Sequence, residues 1–256
     1  MPESLFEQTC PDDYLVRLAA SDLGRSYKSL ATSELAIRRN DVVLDLGCGP
    51  GADLPAFAEA VGPDGGVIGL DHDPVHVEQA AARAAELPQV QVRECDIHAL
   101  DMSSGSVDRA HTDRVLQHVV DPATVIAEAR RVLRAGGCAV FAEPDWDTLI
   151  VDYSDLALAR AYTRFVTEQV VRNGCIGRQL PRLAASAGFA ITKVIPITAT
   201  FQDAEAADKV LGFRRVTERA VSAGYLGAKA ADQWLDHLAT RPFFASVTLF
   251  IVVAAA

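Results

Sequence analysis

The sequence lacks several features that would assign it to a specialised class of protein. Its five cysteines are odd in number and widely spaced, with no CxxC pair, so they suggest neither a disulfide framework nor a zinc site. No uninterrupted apolar run approaches the roughly 20 residues that cross a bilayer. The N-terminus has no basic start followed by an apolar signal core. We therefore expect a cytoplasmic protein with no membrane segment.

Positive charge is also scarce. The 256 residues include 24 Lys and Arg against 34 Asp and Glu, a net charge of −10, and no basic run forms a patch that attracts nucleic acid or anionic lipid. Half of the residues are hydrophobic and 23% are charged, which is an ordinary globular composition. Because α/β proteins of about 250 residues often form one domain, we expect a single domain that does not bind nucleic acid.

The first half of the chain has the pattern of an α/β sheet. Short β-branched runs alternate with segments of helical period, as in βαβ units around a parallel sheet. Five strands are predicted: Val42–Leu46, Val67–Asp71, Val90–Glu94, Ser106–His111 and Cys138–Glu143. The clearest helix, Asp121–Gly137, has Asp121 as N-cap and Pro122 at its first position. Right-handed crossovers predict a Rossmann-like, doubly wound sheet.

The second half adds two strands and several helices. Helical period predicts helices over Asp155–Asn173 and Arg178–Ala187, and residues 202–241 are helical in pattern and too long for a simple loop. A strand over Ile191–Phe201 contains a proline, which favours an edge position because proline cannot donate to a ladder. A strand over Ser246–Val253 is apolar on both faces, which favours an interior position.

A glycine-rich turn joins the first strand to the helix that follows. It reads DLGCGPG over residues 45–51, and such glycines let the backbone approach a ligand and aim helix N–H groups at it. The turn alone is shared by every dinucleotide fold. However, Asp45 would repel a pyrophosphate and suits a ligand end that carries an ammonium group. An amino-acid-like ligand end is therefore predicted beside Gly47, Gly49 and Gly51.

Two more acidic residues follow the next two strands. Asp71 lies 24 residues beyond Gly47, near the spacing at which a carboxylate binds ribose hydroxyls. Asp96 follows the third strand, where its carboxylate can accept from an exocyclic amine while the N–H of Ile97 donates to a ring nitrogen. An Asp at this point can also be only a turn residue. Together the three acids predict adenosine joined to an amino acid.

Five consecutive segments resemble the motifs of class I S-adenosylmethionine-dependent methyltransferases: VLDLGCGPGADLPAFA, VIGLDHDPVHVEQA, ECDIHALDM, SVDRAHTDRVLQHVVDP and RVLRAGGCAVFAEPDW. They are most similar to the small-molecule branch that includes ubiquinone/menaquinone-type and natural-product enzymes. The resemblance implies S-adenosylmethionine as cofactor. It also implies a seven-stranded sheet of order 3-2-1-4-5-7-6, with an antiparallel last strand and helical cap insertions.

The resemblance also implies a cofactor site. The residues at the methionine part, the ribose and the adenine would be Asp45, Gly47, Gly49, Gly51, Asp71, Asp96 and Ile97. Further implied cofactor contacts are Tyr27, His72, His76, Thr112 and Asp113. For the two histidines, solvated positions in a first helical turn are an equally good interpretation.

The segment after the fourth strand is expected to carry the catalytic residues. Arg114 and His118 are spaced i, i+4 and would share one face of a short helical turn. The resemblance makes His118 the candidate general base and Arg114 an orienter of a developing phenolate or enolate. The alternative is that both residues only bridge the cap and the sheet. Candidate substrate contacts are Tyr14, Gln117 and Glu143.

We expect one methyltransferase domain over residues 1–256. Its parts would be N-terminal helices 1–40, a cofactor-binding core 41–146, helical substrate cap segments 147–177 and 202–241, and the remaining core 178–201 and 242–256. The acceptor would be a small molecule such as a secondary metabolite or quinone-like compound, no metal is implied, and a homodimer is common in such families. The runner-up function is a methyltransferase-like protein that binds S-adenosylmethionine without methyl transfer, as a regulatory module or rearrangement catalyst.

Overall fold

The computed structural model describes residues 22–239 and 242–256. The candidate substrate contact Tyr14 lies outside the described residues. The strands are β1 (Val42–Leu46), β2 (Gly66–Asp71), β3 (Val90–Glu94), β4 (Val107–Asp113), β5 (Leu133–Val151), β6 (Ala190–Phe201) and β7 (Ala245–Ala255). The helices are α1 (Asp22–Leu35), α2 (Leu54–Val61), α3 (Pro74–Arg83), α4 (Pro122–Val132), α5 (Leu156–Phe165), α6 (Ile176–Ser186), α7 (Ala204–Leu211), α8 (Phe213–Ser222) and α9 (Ala228–Leu238).

All seven strands form one sheet of order β3-β2-β1-β4-β5-β7-β6. Strands β1 to β5 pair in parallel, whereas β7 is antiparallel to both of its neighbours, β5 and β6. The proline-containing strand is therefore at the edge and the apolar strand is interior. The doubly wound, Rossmann-like α/β fold and its predicted strand order are confirmed.

Helix α4 shows how the sequence sets the local structure of the core. The side chain of Asp121 accepts hydrogen bonds from the N–H groups of Ala123 and Thr124, and proline occupies the start of the helix. The helix ends at Val132 and not at the predicted Gly137, since residues from Leu133 onward join β5 beside β4. The predicted end was wrong because pairing with a neighbouring strand competes with continuation of the helix.

Strand β5 is much longer than the predicted Cys138–Glu143. It has 19 residues and continues past the carboxyl end of the parallel strands, where β7 pairs with it as far as Val151. Even Pro144 lies in this interior strand, opposite Leu249. The extension of β5 therefore carries the sheet beyond the parallel core.

A second layer, here called the cap, covers this extension. It consists of α5, the π-helical turn Val166–Val170 and helices α7 to α9, whose aromatic side chains form one buried cluster with the ends of β5 and β7. Residues 202–241 were predicted to be helical, and the described ones form three helices. Within the described part of the chain, no helix is long and apolar enough to cross a membrane.

Candidate functional site

A cavity opens at the carboxyl ends of β1 and β4, where the order of the strands reverses. Open α/β sheets bind their ligands at such a switch point. The residues that line it come from α1, the glycine turn and the end of β4: Tyr27, Lys28, Asp45, Gly47, Cys48, Gly49, Pro50, Ala52, Asp53, Asp113 and Arg114. Six of these lining residues were predicted to bind the cofactor or to take part in catalysis, and the structure brings them together.

The glycine turn needs its glycines for both conformation and space. Gly47 has a φ of +74°, and a Cβ placed there would lie 2.5 Å from a methyl group of Val115. Its N–H donates to the carbonyl oxygen of Leu70 at 2.7 Å, so the turn is fixed to β2. Only glycine satisfies these constraints, and the backbone of the turn therefore lines the cavity directly.

Asp71 fixes the other side of the turn. Its carboxylate accepts from the N–H of Gly49 at 2.8 Å and from that of Asp73 at 3.0 Å, and the Nδ1 atoms of His72 and His76 lie 3.5 and 3.7 Å away. Burial opposes ionisation of Asp71, but these hydrogen bonds outweigh it and hold its pKa well below the usual range. Asp71 is therefore a carboxylate at the end of β2, with both predicted histidines beside it.

Asp45 forms a buried pair with a histidine that was not predicted. The Nδ1 atom of His111 lies 2.8 Å from Asp45 Oδ1, both side chains are buried, and Phe57 packs edge-on against the imidazole. Burial raises the pKa of Asp45. For His111 burial acts downward, but the hydrogen bond and charge of Asp45 outweigh it, so its pKa is raised as well. The two side chains therefore form a buried hydrogen-bonded pair, of which Asp45 lines the cavity.

Lys28 supplies a positive charge inside the cavity. Its Nζ lies 2.6 Å from Asp53 Oδ2 and also contacts the carboxylate of Asp113, which accepts a hydrogen bond from the Tyr27 hydroxyl at 3.0 Å. Burial lowers the pKa of Lys28, but the carboxylates and Tyr27 outweigh it and raise the pKa above its usual value. Asp53 begins α2 without capping it, because its side chain is turned toward Lys28. Lys28 and Asp53 are site residues that the sequence reasoning missed.

Three potential metal ligands also meet here. One ligand atom each from Asp45, Asp53 and His111 lies within 4.8 Å of the others. No such cluster is visible in the sequence, because the three residues are far apart along the chain. In the structure, Lys28 already balances the charge of Asp53, and His111 already hydrogen-bonds to Asp45.

The predicted adenine-binding residues lie on the loop after β3. The side chain of Asp96 is 73% exposed, and its Oδ1 accepts from the backbone N–H of His98 at 2.9 Å. The side chain of Ile97 is buried beneath the loop. Neither Asp96 nor Ile97 is among the residues that line the cavity.

The segment after β4 differs from the predicted helical turns. Arg114 has a φ of +60°, a conformation that non-glycine residues rarely adopt, and its N–H donates to Ala142 O at 2.8 Å. A single turn follows, closed by the N–H of His118 on Val115 O at 2.9 Å. Because Arg114 is not helical, Arg114 and His118 do not share a helix face, and that prediction was wrong. Arg114 nevertheless lines the cavity.

The carboxyl group of Glu143 binds the backbone of this turn. It is fully buried, and its carboxylate accepts from the N–H groups of Val115 at 2.8 Å, Leu116 at 2.6 Å and Gln117 at 3.3 Å. Burial raises the pKa of Glu143 to about 8, although these three donors oppose the shift. As a predicted substrate contact, Glu143 is placed under the loop and outside the lining of the cavity.

Two other predicted site residues are also buried around the turn. Gln117 accepts from Trp146 Nε1 at 2.8 Å and donates to Arg114 O at 3.1 Å, so its amide connects the turn to β5. Thr112 is completely buried in β4, and its hydroxyl has no hydrogen-bond partner among the described residues. Thus neither predicted contact is among the residues that line the cavity, because both side chains are enclosed by the protein.

The surroundings of His118 disfavour its charged form. Burial, together with Arg114, His72 and Arg172, lowers the pKa of His118 to about 3. Its imidazole is therefore neutral at pH 7, and the same surroundings make the imidazolium unfavourable.

Comparisons with known proteins identify a family and a fold for this chain. A family model described as a methyltransferase domain matches residues 37–188. The chain is 59% identical over 98% of its length to an uncharacterized 37.1 kDa protein in transposon TN4556 of Streptomyces fradiae, covering 74% of that protein. It is 28% identical over 60% of its length to demethylmenaquinone methyltransferase of Staphylococcus aureus and spans 63% of that enzyme. Its fold is similar to that of the YcgJ protein from Bacillus, with a TM-score of 0.67 at 16% identity over 90% of this chain and 98% of that one.

Proposed function

This chain belongs to the methyltransferase-domain family, and on that premise we propose that it transfers the methyl group of S-adenosylmethionine to a small organic acceptor, a secondary metabolite or quinone-like compound. The observation that carries the proposal is the cavity at the switch point, which combines the glycine turn with carboxylates and one ammonium group. The similarity to a demethylmenaquinone methyltransferase supports the quinone-like class of acceptor.

The charges in the cavity match the methionine end of the cofactor, which carries an ammonium and a carboxylate group. The carboxylates of Asp45, Asp53 and Asp113 provide acceptors for the ammonium and a favourable field for the sulfonium. Lys28 provides a donor for the cofactor carboxylate. A cavity with acids alone would suit a simple amine, so Lys28 is the residue that makes the site fit an amino acid.

The loops after β2 and β3 extend this site toward the nucleoside. We assign the ribose hydroxyls to Asp71, because it is ionised and lies at the end of β2 next to the glycine turn. Asp96 and the N–H of Ile97 are assigned to the adenine edge. His72 and His76 contact Asp71 in the described structure, so they support its orientation.

The main contribution of the protein to such a reaction is alignment. When bound, the cofactor supplies an electrophilic sulfonium methyl group for in-line attack by the acceptor. Holding two reactants in line can lower a barrier by about 7–11 kcal/mol. We assign the orientation of an anionic acceptor oxygen to Arg114, which lines the cavity with a φ of +60°.

His118 remains our candidate for accepting the proton of the acceptor. Burial and Arg114 keep it in the neutral form that a general base needs at pH 7. The same effects make it a weak base, so we expect its contribution near the lower end of the roughly 10²–10⁴-fold range of general bases. An acceptor that is already ionised would not need it.

The cofactor site can be tested by calorimetric titration with S-adenosylmethionine. We expect the wild type to bind it and Asp71→Ala to weaken binding by about 100-fold or more, since a charged hydrogen-bond acceptor is lost. Asp71→Asn is the matched variant that keeps the size of the side chain, and circular dichroism checks folding of both. Unchanged affinity in both variants would contradict the assignment of Asp71.

Methyl transfer itself is tested by formation of S-adenosylhomocysteine with a panel of phenols, hydroquinones and demethylmenaquinone analogues. We expect a product with at least one acceptor, and His118→Ala should lower turnover by about 100-fold at unchanged cofactor affinity. Binding of the cofactor with no S-adenosylhomocysteine from any acceptor would favour the second candidate, a methyltransferase-like protein that binds S-adenosylmethionine without methyl transfer.

A further inference from the structure

On the loop after β3, which we assign to adenine, the ring of His98 makes two contacts that the proposed mechanism does not use. The ring Nδ1 of His98 lies 2.6 Å from Asp96 Oδ1, the same oxygen that accepts the backbone N–H of His98. Two donors from one residue therefore converge on a single carboxylate oxygen. The other oxygen, Oδ2, is directed to neither donor and is left for an outside ligand.

The second ring nitrogen anchors the imidazole to the core. The backbone N–H of Asp121 donates to His98 Nε2 at 3.3 Å, and Asp121 is itself fixed as the N-cap of α4. Because Nε2 accepts a hydrogen bond, the neutral ring carries its proton on Nδ1 and donates it to Asp96. His98 thus connects the exposed carboxylate of Asp96 to the start of a helix.

We propose that His98 is a positioning residue for adenine recognition, which holds Asp96 so that Oδ2 accepts from the exocyclic amine of the cofactor. This inference rests on the proposed function. A carboxylate held by one backbone N–H alone samples more rotamers than one held by two donors, and freezing them on binding costs conformational entropy. The anchored Asp96 is ordered before the ligand arrives, which reduces this cost.

The arrangement also predicts how the site rejects a related base. Hypoxanthine carries a carbonyl oxygen where adenine carries its amine. A carboxylate oxygen held at that position accepts from the amine but repels the carbonyl, because two acceptors face each other without a proton. If His98 acts through Asp96, loss of His98 should reduce the preference for adenine more than it reduces binding in general.

The test compares S-adenosylhomocysteine with S-inosylhomocysteine by calorimetry. We expect the wild type to prefer the adenosyl ligand by about 10-fold or more, as for a site built around a hydrogen bond. His98→Ala should weaken the binding of S-adenosylhomocysteine by about 5- to 10-fold and leave the binding of S-inosylhomocysteine nearly unchanged. His98→Asn retains a donor near the position of Nδ1 and should rescue the preference, whereas His98→Gln places its amide near Nε2 and should not.

A double-mutant cycle provides the second readout. His98→Ala added to Asp96→Ala should cause no further loss of affinity for S-adenosylhomocysteine, because the two residues act as one unit. If His98→Ala weakens the binding of both ligands equally, or if the two substitutions are fully additive in the cycle, the role of His98 is merely structural and the inference is overturned. If the wild type binds neither ligand, the proposed function fails. If it binds S-adenosylhomocysteine but the His98 variants match the wild type, only the positioning role fails.

Discussion

The parallel core and the cap differ in how their buried polar groups are hydrogen-bonded. In the core, the buried carboxylates of Asp45, Asp71 and Glu143 each have hydrogen-bond donors. In the cap, the Tyr162 hydroxyl, the Trp234 indole N–H and the Thr217 hydroxyl are buried without hydrogen-bond partners among the described residues. The core has two such groups as well, the hydroxyls of Ser106 and Thr112, and all five of these groups without partners are neutral.

The difference follows from the cost of burial. A buried carboxyl group without partners is more expensive than a buried hydroxyl, above all when it is ionised as in Asp71, so each carboxyl group needs its hydrogen bonds. The cap is held together by ring packing, with Tyr162 centred 5.1 Å from Trp234 and 5.6 Å from Phe213. Specific hydrogen bonds thus shape the cofactor side of the molecule, and apolar contacts shape the cap.

The sharpest test of this comparison is Glu143→Ala. The variant removes the carboxyl group that accepts hydrogen bonds from the backbone N–H groups of residues 115–117. It also leaves an empty space where the buried side chain was. We expect the free energy of unfolding to fall by about 4 kcal/mol, measured by urea denaturation. A loss below about 1 kcal/mol would contradict the view that the turn depends on this carboxylate.

The next largest effect is expected for Lys28→Met. The side chain of Asp113 is only 8% exposed, and the variant leaves it without its ammonium partner. We expect a loss of about 2–3 kcal/mol in the absence of ligand, again by urea denaturation. Lys28→Arg keeps the charge and serves as control, so equal destabilisation by both variants would point to packing and not to charge.

His118 offers a test through pH. Its folded pKa of about 3 lies below the ordinary value of 6.5, so the unfolded chain binds a proton in this interval that the folded protein does not. The stabilising effect of a neutral His118 is present above pH 6.5 and is lost as the pH falls toward 3. We expect the melting temperature of the wild type to fall more steeply between pH 6.5 and 5 than that of His118→Gln. Parallel curves would contradict the lowered pKa.

The smallest effect is expected in the cap. Because the Tyr162 hydroxyl has no described partner, Tyr162→Phe should change the free energy of unfolding by less than about 1 kcal/mol and in the stabilising direction. Tyr225→Phe is a matched control, since its hydroxyl donates to Glu168 at 2.8 Å. Destabilisation by Tyr162→Phe beyond that of Tyr225→Phe would show that the cap also depends on buried hydrogen bonds.

Much of the fold could be predicted because it rests on local signals. Strand β1 and the edge position of the strand with Pro196 followed from hydrophobic pattern and from the missing N–H of proline. The length of β5 could not be predicted, because its residues on both sides of Cys138–Glu143 are held by pairing with β4 and β7. Pro144 even argues against an interior strand in the sequence alone.

Part of the candidate site could also be predicted from the sequence. Asp45 and the glycine turn lie where their spacing placed them, at the cavity. Lys28 and His111 were missed because their partners are 85 and 66 residues away along the chain. The available signals were their positions, one next to the predicted Tyr27 and the other inside the motif SVDRAHTD. Pairing across such distances is a product of the tertiary fold.

Helices α7 to α9 lie between the end of β6 and the start of β7. Phe201 and Ala245 are paired neighbours in the sheet, so helices α7 to α9 leave and re-enter it at almost the same place. Such an insertion can change in length or sequence at little entropic cost to the strands that flank it. An exchange of helices α7 to α9 would therefore leave the strands, the glycine turn and its carboxylates in place.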